Sequence, residues 1–297
     1  MNASPKLLLG LLLGAVAAVI WGGHAVVARL ALTGQGFNVL DLLFCRYGVA
    51  GLVLAPLAWR ERAALRALGP WRLLALCVCG GAGNLAIFIG ALHFAPASHG
   101  ATIAPMTGPV VAALAAWWLL KERPTPGRIA ALAAMLSGVL IIGWDGLGLH
   151  PGAWRGDVML LLAGATWGMF TVLMRRWQLG AISATAGVSV VSALFVVPLF
   201  LVFRAEAFFA LPLPLITWMV VAQGLLLGVV SMFLFARSVE LLGATRAGTV
   251  SVLVPVIGLV FAAVALAEPI GPVKTLGAAL AVGGMLVAVL FTGRRVG

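Results

Sequence analysis

Two side chains that can carry charge, His24 and Arg46, fall well inside long apolar runs of this 297-residue sequence. Burying such a group in hydrocarbon is costly, so it marks a solute or ion path or pairs with protein. His24 is expected to line a cavity; a satisfied structural hydrogen bond is the other reading. Arg46 lies about two turns into its run. It is expected to snorkel to the nearer interface, with attraction of a substrate carboxylate as the alternative. Tyr47, the single tyrosine, adjoins it. Trp21 and Trp167 sit near the middle of their runs, away from the interfacial belt where tryptophan concentrates. On a helix, Gly14, Ala17, Trp21 and His24 share a face, as do Gly164, Trp167, Phe170 and Thr171. Two aromatic walls of a central cavity, or core packing, both fit. Asn84 shares a face with Gly80 and Phe88, and Gln223 is the comparable amide further on. Buried amides need partners, in a wet cavity or between helices. The candidate substrate-binding set is therefore Trp21, His24, Tyr47, Asn84, Phe88, Trp167, Phe170 and Gln223. Pro105, Pro109 and Pro255 interrupt the backbone ladder and are read as gate or hinge positions; a static kink is the alternative.

Other chemistry is excluded. The carboxylates Asp41, Glu61, Glu122, Asp145, Asp157, Glu206, Glu240 and Glu268 fall in loops or at the ends of apolar runs. No H-E-x-x-H, G-x-S-x-G or phosphate-loop pattern is present. Gly80-Gly81-Ala82-Gly83 lies inside an apolar run and reads as a helix-packing surface. Cys45, Cys77 and Cys79 read as inert buried thiols. No enzyme, metal site or cofactor is expected. Glu122 and Glu268 are expected to hold helix-end turns, and His93 and His99 to lie at the surface. No buried carboxylate is expected, which favours facilitated or weakly coupled transport; a proton pathway through His24 is the competing possibility.

The elements that must position these residues follow from composition. Of all residues 63% are apolar and 9% charged, against about 25% charged in a soluble domain. Ten apolar runs, at about 7–28, 39–59, 71–92, 100–120, 127–144, 157–174, 184–203, 214–236, 247–267 and 273–292, each reach the roughly 20 residues that span a bilayer. Their lack of polar alternation excludes a β-barrel. The run from Leu7 is too long for a signal peptide. Net charge is +11, but the basic residues flank the runs in small groups and make no nucleic-acid face. With the N-terminus inside, 14 Lys and Arg lie on the inner side and 4 on the outer. This bias places both termini in the cytoplasm.

The sequence also matches itself at an offset of 146. Trp21-Gly22 corresponds to Trp167-Gly168, Arg29 to Arg175, Pro109 to Pro255, Glu122 to Glu268 and Gly138 to Gly284. The halves, 1–146 and 147–297, each contain five runs. Five is odd, so the second half crosses in the opposite sense. Inverted repeats place a solute site near the midplane between halves.

These residues carry a resemblance. Ala97–Ile142 and Gly243–Val289 each resemble the EamA module of the drug/metabolite transporter superfamily. The shared features are Pro109 and Pro255, the turns at Glu122 and Glu268, Gly138 and Gly284, and the tryptophan-glycine pairs. One departure is Ala131, where the second half has Gly277, so close packing there should differ. Within the superfamily the chain is similar to the YddG-type exporters of aromatic and other neutral amino acids. The resemblance implies an all-α, ten-helix inner-membrane exporter of small neutral metabolites, including aromatic amino acids. It would work by alternating access through a central apolar cavity, and a monomer would suffice. A broad drug/metabolite efflux facilitator is the alternative.

Overall fold

The computed structural model describes residues 5–149 and 152–293; the side chains of 5, 145–149, 244, 245 and 290–293 fall outside that description. Met1–Ser4, the Asp145 side chain, Arg294 and Arg295 therefore lie outside the described residues.

Among the described residues, ten helical runs are long and apolar enough to cross a membrane. The first half comprises α1 (Pro5–Gly34), α2 (Val39–Arg60), short α3 (Arg62–Leu68), α4 (Pro70–Gly80), α5 (Ala82–Ala91), α6 (Ala97–Leu120) and α7 (Pro126–Leu149). The second comprises α8 (Ala153–Arg176), α9 (Ala181–Phe203), short α10 (Ala205–Phe209), α11 (Leu213–Met219), α12 (Ser231–Leu242), α13 (Ala244–Ser251), α14 (Leu253–Leu266) and α15 (Pro272–Gly293). A π-helical segment, Val220–Val230, joins α11 to α12. The third span is thus α4–α5, the eighth α11–π–α12 and the ninth α13–α14.

Apolar burial gives membrane helices little reason to associate, so close backbone approach through small residues holds them together. The inverted repeat is visible in these approaches. A Cβ placed on Gly168 would sit 2.4 Å from the Gly108 carbonyl oxygen, joining α8 to α6. At the repeat-equivalent site, one on Gly22 would sit 3.1 Å from the Val254 carbonyl oxygen, joining α1 to α14. The glycine of each tryptophan-glycine pair is therefore a packing residue. Likewise α7 meets α15: a Cβ on Gly138 would lie 2.4 Å from the Gly277 carbonyl oxygen, and one on Gly284 2.7 Å from that of Ala131. The approach is looser at the alanine, as that departure leads one to expect.

Helix ends repeat too. Lys121 (φ 60°) and Ala267 (φ 51°) both take left-handed backbone after α6 and α14. The next amides, of Glu122 and Glu268, each return 3.3 Å to the carbonyls of Ala116 and Ala262. This is the bonding of a helix C-cap. The two carboxylates then do more than hold a turn. Glu122 pairs with Arg175 at the end of α8. Glu268 accepts from the Ala97 and Ser98 amides at 2.7 and 2.9 Å, an anion on the N-terminus of α6. Each thereby ties one half to the other.

The antiparallel pair α2 and α9 packs through Gly51 against Ala193 and Ser189. It is clamped at both ends. Asp41, which also forms a capping box with Asn38, accepts from Arg204 at 2.9 and 3.2 Å. That bond holds the Arg204 pKa above its ordinary value. At the other end Ser183 donates to Glu61 at 2.5 Å.

The prolines leave gaps in the ladder without unwinding the helices. The fourth span, α6, stays helical through Pro105 and Pro109, each of which withholds an amide from the ladder. In the ninth, Pro255 withholds its amide from the Ser251 carbonyl four residues back, where α13 gives way to α14. Val252 between them keeps right-handed helical backbone, φ −62° and ψ −21°.

Candidate functional site

The irregular third spans of the two halves build the site. In the first half the helix breaks at Gly81, with φ −108° and ψ −138°. A Cβ there would lie 2.7 Å from the Cys77 carbonyl oxygen, Ser192 Oγ and Val188. The glycine cluster is thus a packing surface, as expected, and also a break. The residue related to Gly81 by the repeat is Leu227, inside the π-helical segment. Interrupted helices at corresponding positions of inverted halves mark the solute site of secondary transporters, and π-helical turns often mark functional sites.

Arg46 bonds to that segment. Its Nη1 donates to the Leu227 carbonyl at 2.8 Å, and its Nη2 lies 3.2 Å from His24 Nε2. A guanidinium only donates, so His24 Nε2 accepts and the ring is neutral with its proton on Nδ1. The other face of His24 stacks on Phe88, centroids 4.8 Å apart at 14°. Arg46 does not snorkel outward. The π-helical segment approaches closely enough to hold it: a Cβ on Gly228 would sit 3.2 Å from Arg46 Cδ, and one on Gly224 2.5 Å from the Cys45 carbonyl oxygen. One turn further in, Trp21 Nε1 donates to Ser231 Oγ at 3.0 Å and packs against Phe235 at 5.0 Å.

Five of the eight candidates, Trp21, His24, Asn84, Phe88 and Gln223, lie on α1, α5 and the π-helical segment, and Tyr47 lies on α2 with Arg46. Gln223 is fully buried on the π-helical segment, and neither its Nε2 nor its Oε1 has a partner. Tyr47 is buried on α2, about 100° around the helix from Arg46. Asn84 shares α5 with Phe88 but serves another purpose: it donates to the Ala163 carbonyl at 2.6 Å and Thr166 Oγ1 at 2.8 Å on α8. That is interhelical bonding. Asn84→Leu should cost about 0.6–1.7 kcal/mol, read as a lowered unfolding temperature in detergent with binding unchanged.

Trp167 and Phe170 lie on α8, which packs on α4, α5, α6 and α7, whereas Trp21 lies on α1, which packs on α12 and α14. Phe170 is buried, and a Cβ on Gly80 would meet its ring at 2.4 Å. Trp167 is 40% exposed. It sits on α8 between the Gly164–Gly168 stripe that meets α6 and the Ala163–Phe170 side that meets α4 and α5. Its exposed surface therefore opens between two protein-covered faces. A separate pocket of about 450 Å³ between α6 and α7 is lined by apolar residues such as Trp117, Leu132 and Leu136. It contains none of the candidates.

Two expectations are corrected. His93 is exposed, but His99 is fully buried, with Nδ1 2.7 Å from Asp157 Oδ1. Buried carboxylates also exist: Asp41 is 0% and Asp157 8% exposed. Both sit at helix starts beside partners 163 and 58 residues away, and sequence spacing carries no signal for either pairing. Lys274, also fully buried, donates to Ser98 Oγ and the Pro269 carbonyl at 3.2 Å. No group of three metal-ligating side chains occurs among the described residues.

Ten spans in two inverted halves, with interrupted third spans that each contribute to a polar and aromatic cluster, define a multi-pass membrane transporter. The chain belongs to the EamA-like transporter family, whose model matches residues 8–144 and again 154–290. It is 27% identical to the uncharacterized transporter YwfM of Bacillus subtilis (strain 168), over 92% of this chain and 90% of that one. It is 25% identical to the uncharacterized transporter YetK of the same organism, over 62% of this chain and 57% of YetK. The chain thus spans little more than half of YetK. An uncharacterized transporter of Archaeoglobus fulgidus is 28% identical over 58% of each chain. One crystal structure shares the fold, with a TM-score of 0.61 and 22% identity over 96% of this chain and 98% of that one.

Proposed function

We propose that this chain is an inner-membrane exporter of small neutral metabolites, amino acids and aromatic ones among them. Its halves, 1–146 and 147–297, would work by alternating access, with both termini in the cytoplasm and one chain sufficient. The observation that carries this reading is the meeting of Arg46, His24, Phe88 and Trp21 beside the π-helical segment. Those groups are few, mostly aromatic and deep in the spans, which suits a solute with a small polar end and an apolar body. The break at Gly81 and the missing amide of Pro255 supply places where segments can turn against each other. In this arrangement the uncharged ring of His24 holds Arg46, so the ring cannot carry a proton without displacing a cation. That favours uncoupled passage.

The test is uptake of labelled phenylalanine, methionine and threonine by liposomes carrying the purified chain, with and without a pH gradient. Equilibrating uptake without the gradient is expected. Accumulation only with it would replace uncoupled passage by proton coupling. No uptake of any amino acid by folded protein would shift the substrate to other metabolites or drugs. Trp21→Ala and Trp167→Ala, made separately, should each abolish uptake while leaving the elution profile unchanged; loss of folding instead would assign them to packing.

A further inference from the structure

Arg46 lies seven residues from the start of α2, about 10 Å along the helix. A full charge at that depth normally has an opposite charge beside it. None of the ion pairs among the described residues includes Arg46. Two of its nitrogens meet neutral acceptors, the Leu227 carbonyl and His24. The third, Nε, is buried with no partner. The Leu227 carbonyl also accepts from Ser231 Oγ at 3.1 Å, and bonding it needs one N–H donor and no charge, so that role leaves the charge and Nε unexplained.

The second observation is independent. Gln223 is fully buried, and both ends of its amide lack partners. It precedes Leu227 by about one turn of the same π-helical segment, and that segment packs on α2 around Arg46. Unsatisfied buried polar atoms are rare and call for an explanation. Here a cationic donor, an amide donor and an amide acceptor lie idle on facing elements. The stacked rings of His24 and Phe88 stand beside Arg46. A carboxylate would accept from the donors and neutralise the charge, and the ring pair would take an apolar body.

We propose that Arg46, with Gln223 on the π-helical segment that faces it, is the carboxylate receptor of this carrier, and that its solutes are small carboxylates such as α-amino acids, not uncharged or purely cationic compounds. The inference rests on the reading that the Arg46–His24–Phe88 cluster meets the solute.

Competition against labelled phenylalanine uptake tests it on the unaltered protein. Phenylpropionate, which keeps the carboxylate and lacks the ammonium, should compete. Phenylalaninol, which lacks the carboxylate, should be at least 100-fold weaker. Equal competition by phenylalaninol would overturn the receptor while leaving amino acid export standing. Arg46→Gln should lose uptake, and Arg46→Lys should retain part of it, at elution profiles matching the parent. Unimpaired uptake by Arg46→Gln would also overturn it. If no amino acid is taken up, export of amino acids falls and thermal shift decides the receptor separately. Stabilisation of the parent by phenylpropionate or benzoate, lost in Arg46→Gln, would sustain it. No shift with either carboxylate, or equal shifts in both proteins, would end it.

Discussion

Gly168→Ala should lower the unfolding temperature of the purified protein far more than Gly22→Ala, although the two glycines are repeat-equivalent. At Gly168 the added methyl would meet backbone, the Gly108 carbonyl oxygen at 2.4 Å and the Ala112 amide nitrogen at 2.9 Å. Neither atom can rotate away, so α6 and α8 must separate. At Gly22 the nearest atoms are the Ile257 side chain at 2.7 and 2.9 Å, and the Val254 carbonyl oxygen is further off at 3.1 Å. A rotamer change of Ile257 relieves much of that. Alanine gains about 1 kcal/mol of helix propensity over glycine at both sites. Overpacking typically costs about 1–3 kcal/mol. The balance is near neutral at Gly22 and clearly unfavourable at Gly168, where the Gly164 contact with Ala104 and Thr107 is lost as well. Gly168→Leu should give no monodisperse protein on size exclusion in detergent. Equal losses for the two alanine variants would mean that the halves pack alike.

How much of this was legible in the sequence depends on the range of each interaction. The ten spans were, because a span is a local property of about 20 residues and the bilayer fixes its length. The repeat was, because one offset links Gly22 to Gly168 and Glu122 to Glu268. Pairings between distant residues were not. His99 stands between small residues and prolines, which reads as a loop; its burial follows from Asp157, 58 residues on. Arg46 is close enough to the end of α2 for snorkelling to be geometrically sound. What holds it inward is a carbonyl 181 residues away, on a π-helical segment whose winding leaves no periodic signature in Val220–Val230. Gly224 and Gly228, spaced for close approach to α2, are the one local hint. The prolines say little about shape for a related reason: a proline reports a missing donor, and the backbone here stays helical through Pro105 and Pro109 and at Val252 ahead of Pro255.

Gln223→Met should stabilise the protein and silence it at the same time. Met is close to Gln in volume and carries no polar donor or strong acceptor, so the core keeps its filling. Leaving a buried polar group unsatisfied costs about 1–3 kcal/mol, and Gln223 has two such atoms. The gain is smaller in a bilayer, where the unfolded reference also finds partners. A rise of several degrees in unfolding temperature is therefore expected. A residue that costs stability in the resting protein persists where function needs it. With its amide gone, the cluster loses the group that would orient a solute against Arg46, and uptake in the liposome assay should fall at least tenfold. Gln223→Glu makes the opposite test. It places an anion on the segment that faces the unpaired guanidinium, so on this proposal it should also stabilise, and it should block carboxylate solutes by occupying their place. If Gln223→Met melted lower and still transported normally, the amide would be satisfied by buried water and structural in purpose. The π-helical segment would then be a packing irregularity, and the solute path would have to be sought on the side of Trp167.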